Sequence, residues 1–205
     1  MTGSCLRQRD VAFRRGAPDG QLDARGRPYY LFLASDNGYL LGEHGEDGKT
    51  VPYDESTRTI MRATSGGGAP ALAGSDHLVA NIDWMATLAD LSGAEPPYPT
   101  DGRSMLSGPA RELVLIEAKA VSADERRRGE ERSQTLGNRH GMPGYAGMQL
   151  ATGELYVEYS TGFVEYYTAA DPYRMRNARG SSADRVTELA RLLRAYQDCR
   201  GAACP

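Results

Sequence analysis

The sequence predicts an α/β protein in two parts, a mixed sheet with helices followed by a small α+β subdomain of antiparallel sheet plus terminal helix. Three observations lead there. The apolar run Tyr29–Ala34 stops abruptly at Ser35-Asp36-Asn37-Gly38, the pattern of a short buried strand bounded by a turn. Leu78, Ile82, Met85 and Ala89 recur at helical spacing until Gly93. Three short segments rich in tyrosine and valine, separated by Ala-Thr-Gly and Ser-Thr-Gly, precede an amphipathic stretch near the C-terminus.

Composition narrows the function. At 205 residues the chain can bury a real core, and 40% hydrophobic with 25% charged residues is ordinary for a globular protein. A net charge of −3 gives no basic surface for nucleic acid, and no apolar stretch approaches the roughly 20 residues of a membrane span. The three cysteines, Cys5, Cys199 and Cys204, have no framework or zinc-site spacing. Cys199 and Cys204 could close a small loop or remain reduced in a mobile tail.

Taken in order, residues 1–27 are polar, rich in Arg and Gly and without an apolar h-region, so a poorly ordered leader is expected rather than a signal peptide. Residues 28–108 are expected as one α/β part. Its first strand, Tyr29–Ala34, reads as parallel-type and buried on both faces. A long loop follows to about Tyr53, then a weak strand over 58–63 and a Gly/Ala/Pro-rich loop from Thr64. Ser75-Asp76 can cap the next helix, whose apolar stripe should face a core. Residues 96–109 read as a linker. Residues 109–205 are expected as the antiparallel subdomain, with strands over 113–118, 145–150, 154–159 and 163–167 and a helix over 182–199. The helix carries Val186, Leu189, Leu192, Leu193 and Tyr196 on one face. The charge run 124–132 reads as a solvated loop or helix face.

The residues with chemistry cluster after the first strand. Asp36 and Asn37 offer two oxygens to a hard cation. Lys49, twelve residues on and one of two lysines beside 22 arginines, suits point-charge contact with a sulfate or phosphate oxygen. Taken alone, Asp-Asn-Gly after a strand is more often a plain turn.

The longer string decides between them. Ser-Asp-Asn-Gly-Tyr-Leu-Leu-Gly-Glu-His at 35–44, Gly-Lys at 48–49 and Pro-Tyr-Asp-Glu-Ser-Thr-Arg at 52–58 closely resemble the sulfatase family of the alkaline phosphatase superfamily. Asp101-Gly102-Arg103-Ser104, Leu155-Tyr156-Val157-Glu158-Tyr159 and Asp171-Pro172-Tyr173 with Asn177 extend the likeness from about Gly20 to Gly201. Thr59 and Met61-Arg62 depart from it. The resemblance implies a partial alkaline-phosphatase-like sheet and a sulfuric ester hydrolase of arylsulfatase type. It implies Asp36 and Asn37 as ligands of calcium, with magnesium as the alternative, and Lys49 as the sulfate and leaving-group contact. His44, at the pocket mouth, is the further catalytic candidate, weighed against a role in structuring the loop. The implied substrate is a sulfated small molecule or glycan.

The family's nucleophile is a formylglycine in a Cys/Ser-x-Pro-x-Arg signature, and none of the cysteines fits it. Ser107-Gly108-Pro109-Ala110-Arg111 fits the bare pattern, but it follows the Ser-Asp-Asn-Gly strand instead of preceding it and reads as a turn. The expectation is therefore the C-terminal portion of a sulfatase without the N-terminal formylglycine half, with little or no activity alone. Unpaired sheet edges should favour self-association. A chain without a signal peptide is expected in the cytoplasm, although the family is often secreted, periplasmic or lysosomal. The alternatives are a phosphodiesterase or phosphonate hydrolase of the same superfamily, and a non-catalytic remnant acting as a binding or partner-dependent subunit.

Overall fold

The structure, a computed structural model, describes residues 22, 24–70, 77–96, 98–107, 110–120 and 143–201, except the side chain of Asp47. The leader up to residue 21, the cap at Ser75-Asp76, the charge run 124–132, His140, Cys5 and Cys204 lie outside the described residues. The architecture is α/β, with antiparallel sheets and few helices. The chain divides into two compact units, Met1–Ala34 with Ile60–Gly74, and Ser35–Thr59 with Ser75–Pro205.

The first unit holds β1, Tyr29–Ala34, and β4, Met61–Gly66, paired antiparallel from Tyr29 opposite Gly66 to Ala34 opposite Met61. This corrects two expectations. The described partner of β1 is antiparallel, and β1 is half-buried where a parallel core strand would be buried on both faces. The second strand also runs three residues past Ala63, through the stretch read as loop. Gly66 explains the extension, because a Cβ there would collide with the ring of Tyr29 across the pair. A glycine that reads as a breaker is the residue that lets the strands meet.

The second unit begins with β2, Leu40–Leu41, and β3, Asp47–Gly48, a short hairpin, followed by the one-turn α1, Asp54–Thr57. Leu40 and Val51 are buried and anchor the base of this segment. Helix α2 runs over Asp83–Ser92 and ends at Gly93, which takes the left-handed conformation of a C-cap. It starts later than the stripe implied, because Leu78 instead bridges to Arg111. Its inner face is polar. Ile82, Met85 and Leu88 are each 54% exposed, while Asp83 and Thr87 are buried. The Asp83 carboxylate accepts the N–H groups of Ala80 (2.8 Å) and Arg103 (2.9 Å) and pairs with the Arg111 guanidinium. Thr87 Oγ1 accepts the Met105 N–H at 3.0 Å. The helix is held to the 102–105 loop by hydrogen bonds, which an apolar pattern cannot report.

The rest is a four-stranded antiparallel sheet in chain order: β5 Leu113–Ala118, β6 Tyr145–Leu150, β7 Leu155–Tyr159 and β8 Val164–Tyr167. Helix α3, Ala183–Gln197, covers one face. There Leu113, Met148, Leu150, Tyr156 and Tyr166 pack with Leu189 and Leu193. On the other face Tyr145, Leu155, Val157 and Tyr167 pack with Tyr53. Both faces are covered, so Leu155, Tyr156 and Val157 are buried in succession and the strand does not alternate. Among the described residues no helix is long and apolar enough to cross a membrane. Cys199, just past α3, is disulfide-bonded.

One half-buried ion pair ties α3 to the turn before β7. Glu154 accepts from Arg185 Nε (3.0 Å) and Nη2 (2.6 Å), from the Tyr166 hydroxyl (2.6 Å) and from Thr152 Oγ1 (2.8 Å). Chiefly through Arg185, these bonds hold the Glu154 carboxyl down to about 2 from its ordinary 4.5. A carboxyl with a depressed folded-state pKa adds stability above its unfolded pKa and loses it as the proton returns. Stability should therefore fall from about pH 4.5 toward pH 2. In Glu154→Gln that part of the fall is absent, read from urea midpoints across the pH range.

Candidate functional site

The site is built from the turn that follows β1 in the chain and from the hairpin after it. Ser35 Oγ donates to the Asn37 carbonyl (2.8 Å), and the Asn37 N–H donates to Asp36 Oδ1 (3.0 Å). Two more distant contacts fix the turn. The Gly38 N–H donates to the Ser56 carbonyl of α1 at 2.8 Å, and Asn81 Nδ2 donates to the Asp36 carbonyl at 3.0 Å. A Cβ at position 38 would collide with the Glu55 carbonyl, so only glycine fits against α1. Gly38→Ala should cost about 1–3 kcal/mol, the usual scale of overpacking, and displace the turn. Chemical denaturation and the Asp36 and Asn37 amide resonances would read the two effects.

These contacts bring Asp36, Asn37 and Lys49 together. Lys49 Nζ donates to Asn37 Oδ1 at 2.8 Å and stands 4.0 Å from Asp36 Oδ2. The Asp36 side chain is 84% exposed and that of Lys49 53% exposed, so the group is open to a ligand and to water. Asn37 Nδ2 is turned away, donating to the Gly38 carbonyl at 2.7 Å, which points its oxygen toward the ammonium. An exposed carboxylate, a carboxamide oxygen and one ammonium can together meet a cation and an anionic oxygen.

His44 is placed differently. It lies at the hairpin tip in a left-handed conformation, φ 57°. Its ring stacks on Tyr53 with centroids 3.9 Å apart and planes at 20°, and Nε2 is 3.5 Å from a Glu55 carboxylate oxygen. Its described contacts close the hairpin on its own exit segment. His77 lies just before the Leu78 bridge. Ser107 Oγ donates to Asp90 Oδ2 at 2.8 Å and Ser104 Oγ to the same oxygen at 2.5 Å, and Gly108 and Pro109 lie outside the described residues.

The donors suit a calcium ion in kind, since carboxylate and carboxamide oxygens are its usual ligands. They fall short in number, because calcium takes about six to eight oxygens. Among the described residues no group of three or more His, Cys, Asp and Glu could hold a metal. Asn37 Oδ1 also already accepts from the ammonium, so a cation there would have to share or displace that contact.

Sequence reasoning passed over Asn81, Tyr53 and Glu165. Asn81 lies within the stretch expected as helix and carries no sign of reaching back 45 positions. Tyr53 sits in the Pro-Tyr-Asp-Glu string, and its hydroxyl donates to Glu165, 112 positions away.

No protein-family model matches the chain. It is 27% identical over 171 residues to an N-acetylglucosamine-6-O-sulfatase of Bacteroides thetaiotaomicron, covering 82% of this chain and 30% of that protein. Over 93 residues it is 35% identical to an extracellular sulfatase SULF-1 homolog of Drosophila melanogaster, covering 45% of this chain and 8% of that one. Two solved structures share the fold. BT4656, in complex with its substrate D-glucosamine-2-N,6-O-disulfate, superposes with a TM-score of 0.61 at 20% identity, over 93% of this chain and 37% of that one. The phosphonate monoester hydrolase of Agrobacterium radiobacter gives 0.58 at 18%, over 83% and 36%. These likenesses in sequence and fold support the sulfatase and alkaline phosphatase superfamily. The chain spans less than a third of the length of the curated relatives it matches.

Proposed function

We propose that the chain serves a sulfuric ester hydrolase, with Asp36 and Asn37 as oxygen ligands of a divalent cation and Lys49 as the contact to a sulfate or leaving-group oxygen. Calcium is the proposed cation, with magnesium as the alternative. The observation that carries the reading is the approach of Lys49 Nζ to 2.8 Å from Asn37 Oδ1 and 4.0 Å from Asp36 Oδ2. A plain turn would give a lysine twelve residues downstream no contact with the turn's side chains. A bound divalent cation would draw charge from the sulfate oxygens. The Lys49 ammonium would stabilise negative charge on the leaving oxygen, and Asn81 and Gly38 would hold the turn in place. Further cation ligands and the nucleophile would come from elsewhere in the enzyme, which leaves this chain little activity by itself.

The proposed substrate class is a sulfated sugar, a reading that the names of the relatives support. Nucleic acid and membranes are not proposed as partners. A second copy of the chain is, through exposed sheet edges. The test is hydrolysis of an aryl sulfate and an aryl phosphonate side by side, with calcium or with chelator, by the polypeptide that carries this chain. Calcium-dependent preference for the sulfate supports the proposal. Preference for the phosphonate assigns the site to the phosphonate hydrolases, and turnover of neither leaves a binding role.

A further inference from the structure

Two costly features bear on the segment that delivers Lys49. His44 is a non-glycine residue at φ 57°, a backbone state that persists only where its surroundings hold it. Glu165 is a carboxylate only 8% exposed, on β8. They are connected. The His44 ring lies on Tyr53 at 3.9 Å. The Tyr53 hydroxyl donates to Glu165 Oε1 at 3.2 Å, and the Tyr159 hydroxyl donates to Glu165 Oε2 at 3.0 Å. Tyr167, also on β8, meets the Tyr53 ring edge-on at 6.3 Å and 74°. Burial, and after it the charge of Glu165, pushes the Tyr53 phenol up to about 12, so it stays a donor at neutral pH.

The chain order gives the linkage a direction. The hairpin β2–β3 carries His44 at its tip, Lys49 follows β3 directly, and Tyr53 comes four residues later. The ring stack therefore pins the tip of the hairpin to its exit, and the hydroxyl pins the exit to a sheet whose core is closed on both faces. We propose that Glu165 and Tyr53 are positioning residues for Lys49: the sheet fixes Tyr53, Tyr53 fixes His44, and the hairpin so held presents the ammonium to Asn37 and Asp36. The functional meaning of this linkage rests on the sulfate-site reading of Lys49, whereas the linkage itself can be tested without it.

The test is amide hydrogen exchange on the full chain for wild type, Tyr53→Phe, Glu165→Leu and Glu165→Gln. Tyr53→Phe keeps the ring and removes the donor, and Glu165→Gln keeps an acceptor oxygen. Tyr53→Phe and Glu165→Leu should speed exchange over 42–49 by about tenfold or more, with β6 and β7 unchanged, the mark of local opening. Glu165→Gln should restore most of the protection. In the same variants, the inorganic sulfate concentration that half-shifts the Lys49 and Asn37 amide resonances should rise by about threefold or more in Tyr53→Phe and stay near wild type in Glu165→Gln, as expected when one hydrogen bond sets the geometry. Unchanged exchange over 42–49 in Tyr53→Phe would overturn the proposal, and so would acceleration spread equally over β6 and β7. If Glu165→Leu loosens the whole sheet, Tyr53→Phe decides. A wild-type chain whose Lys49 ignores sulfate would overturn the sulfate-site reading, while the exchange comparison still decides the linkage.

Discussion

In the enzyme that carries this chain, Asp36→Ala should abolish calcium-dependent cleavage of an aryl sulfate, and Lys49→Ala should lower turnover by about 10²-fold or more, the scale of losing one charge-stabilising group. The two losses have different origins. Asp36 is the carboxylate of the cluster, so its removal takes the negative charge that would hold a cation beside Asn37. Lys49 supplies the positive charge that would meet the developing charge on the leaving oxygen. Calcium at high concentration should therefore not rescue Lys49→Ala. Lys49→Arg should recover only part of the loss, because a planar guanidinium cannot take the place of a compact ammonium at 2.8 Å from Asn37 Oδ1. Lys119, the other lysine, is exposed at the end of β5 and provides the control. Lys119→Ala should turn over like wild type. Steady-state kinetics on the four variants checks all of these expectations, and near-normal turnover in both Asp36→Ala and Lys49→Ala removes the assignment.

Leu189→Ala should cost about 2–5 kcal/mol in chemical denaturation, the range for emptying a fully buried leucine site. Leu189 is 0% exposed and lies with Leu193 between α3 and the sheet, against Met148, Tyr156 and Tyr166. Large side chains surround it, so the cavity has little room to collapse and the cost should fall in the upper part of that range. Leu192, one position before Leu193 and only partly buried, should cost less when cut to alanine. Equal midpoints for the two variants would mean that α3 is not docked as the structure has it.

The C-terminal sheet was legible because its signals are local. Gly153 and Gly162 sit in tight turns at φ 90° and 83°, and the tyrosines and valines between them favour strands. Helix α3 was legible from its period, and its expected apolar positions are the ones that pack on the sheet. What escaped depends on distant partners. Strand β5 was expected in the antiparallel subdomain, but its register on β6, set across more than 25 residues, has no local pattern. Helix α2 shows an apolar stripe, yet Asp83 and Thr87 turn inward because the loop at 103–105 and Arg111 supply their partners. The site divides the same way. Asp36, Asn37 and Lys49 stood out by residue type within a recognisable string. The residues that fix them, Asn81 and the Tyr53–Glu165 pair, reach across 45 and 112 positions. A hydrogen bond between such positions leaves no period in the sequence.

The most direct measurement is a calcium titration of the chain followed by the amide resonances of Asp36 and Asn37. Both should move together and saturate with a dissociation constant of about 10⁻³ M, the weak end of calcium sites, as befits two side-chain ligands. The Lys49 resonances should move with them, because its ammonium shares Asn37 Oδ1. In Asp36→Ala the response should vanish. Resonances at Asp36 and Asn37 that stay still, or that move equally in Asp36→Ala, would contradict a cation site there and with it the proposed role of this turn.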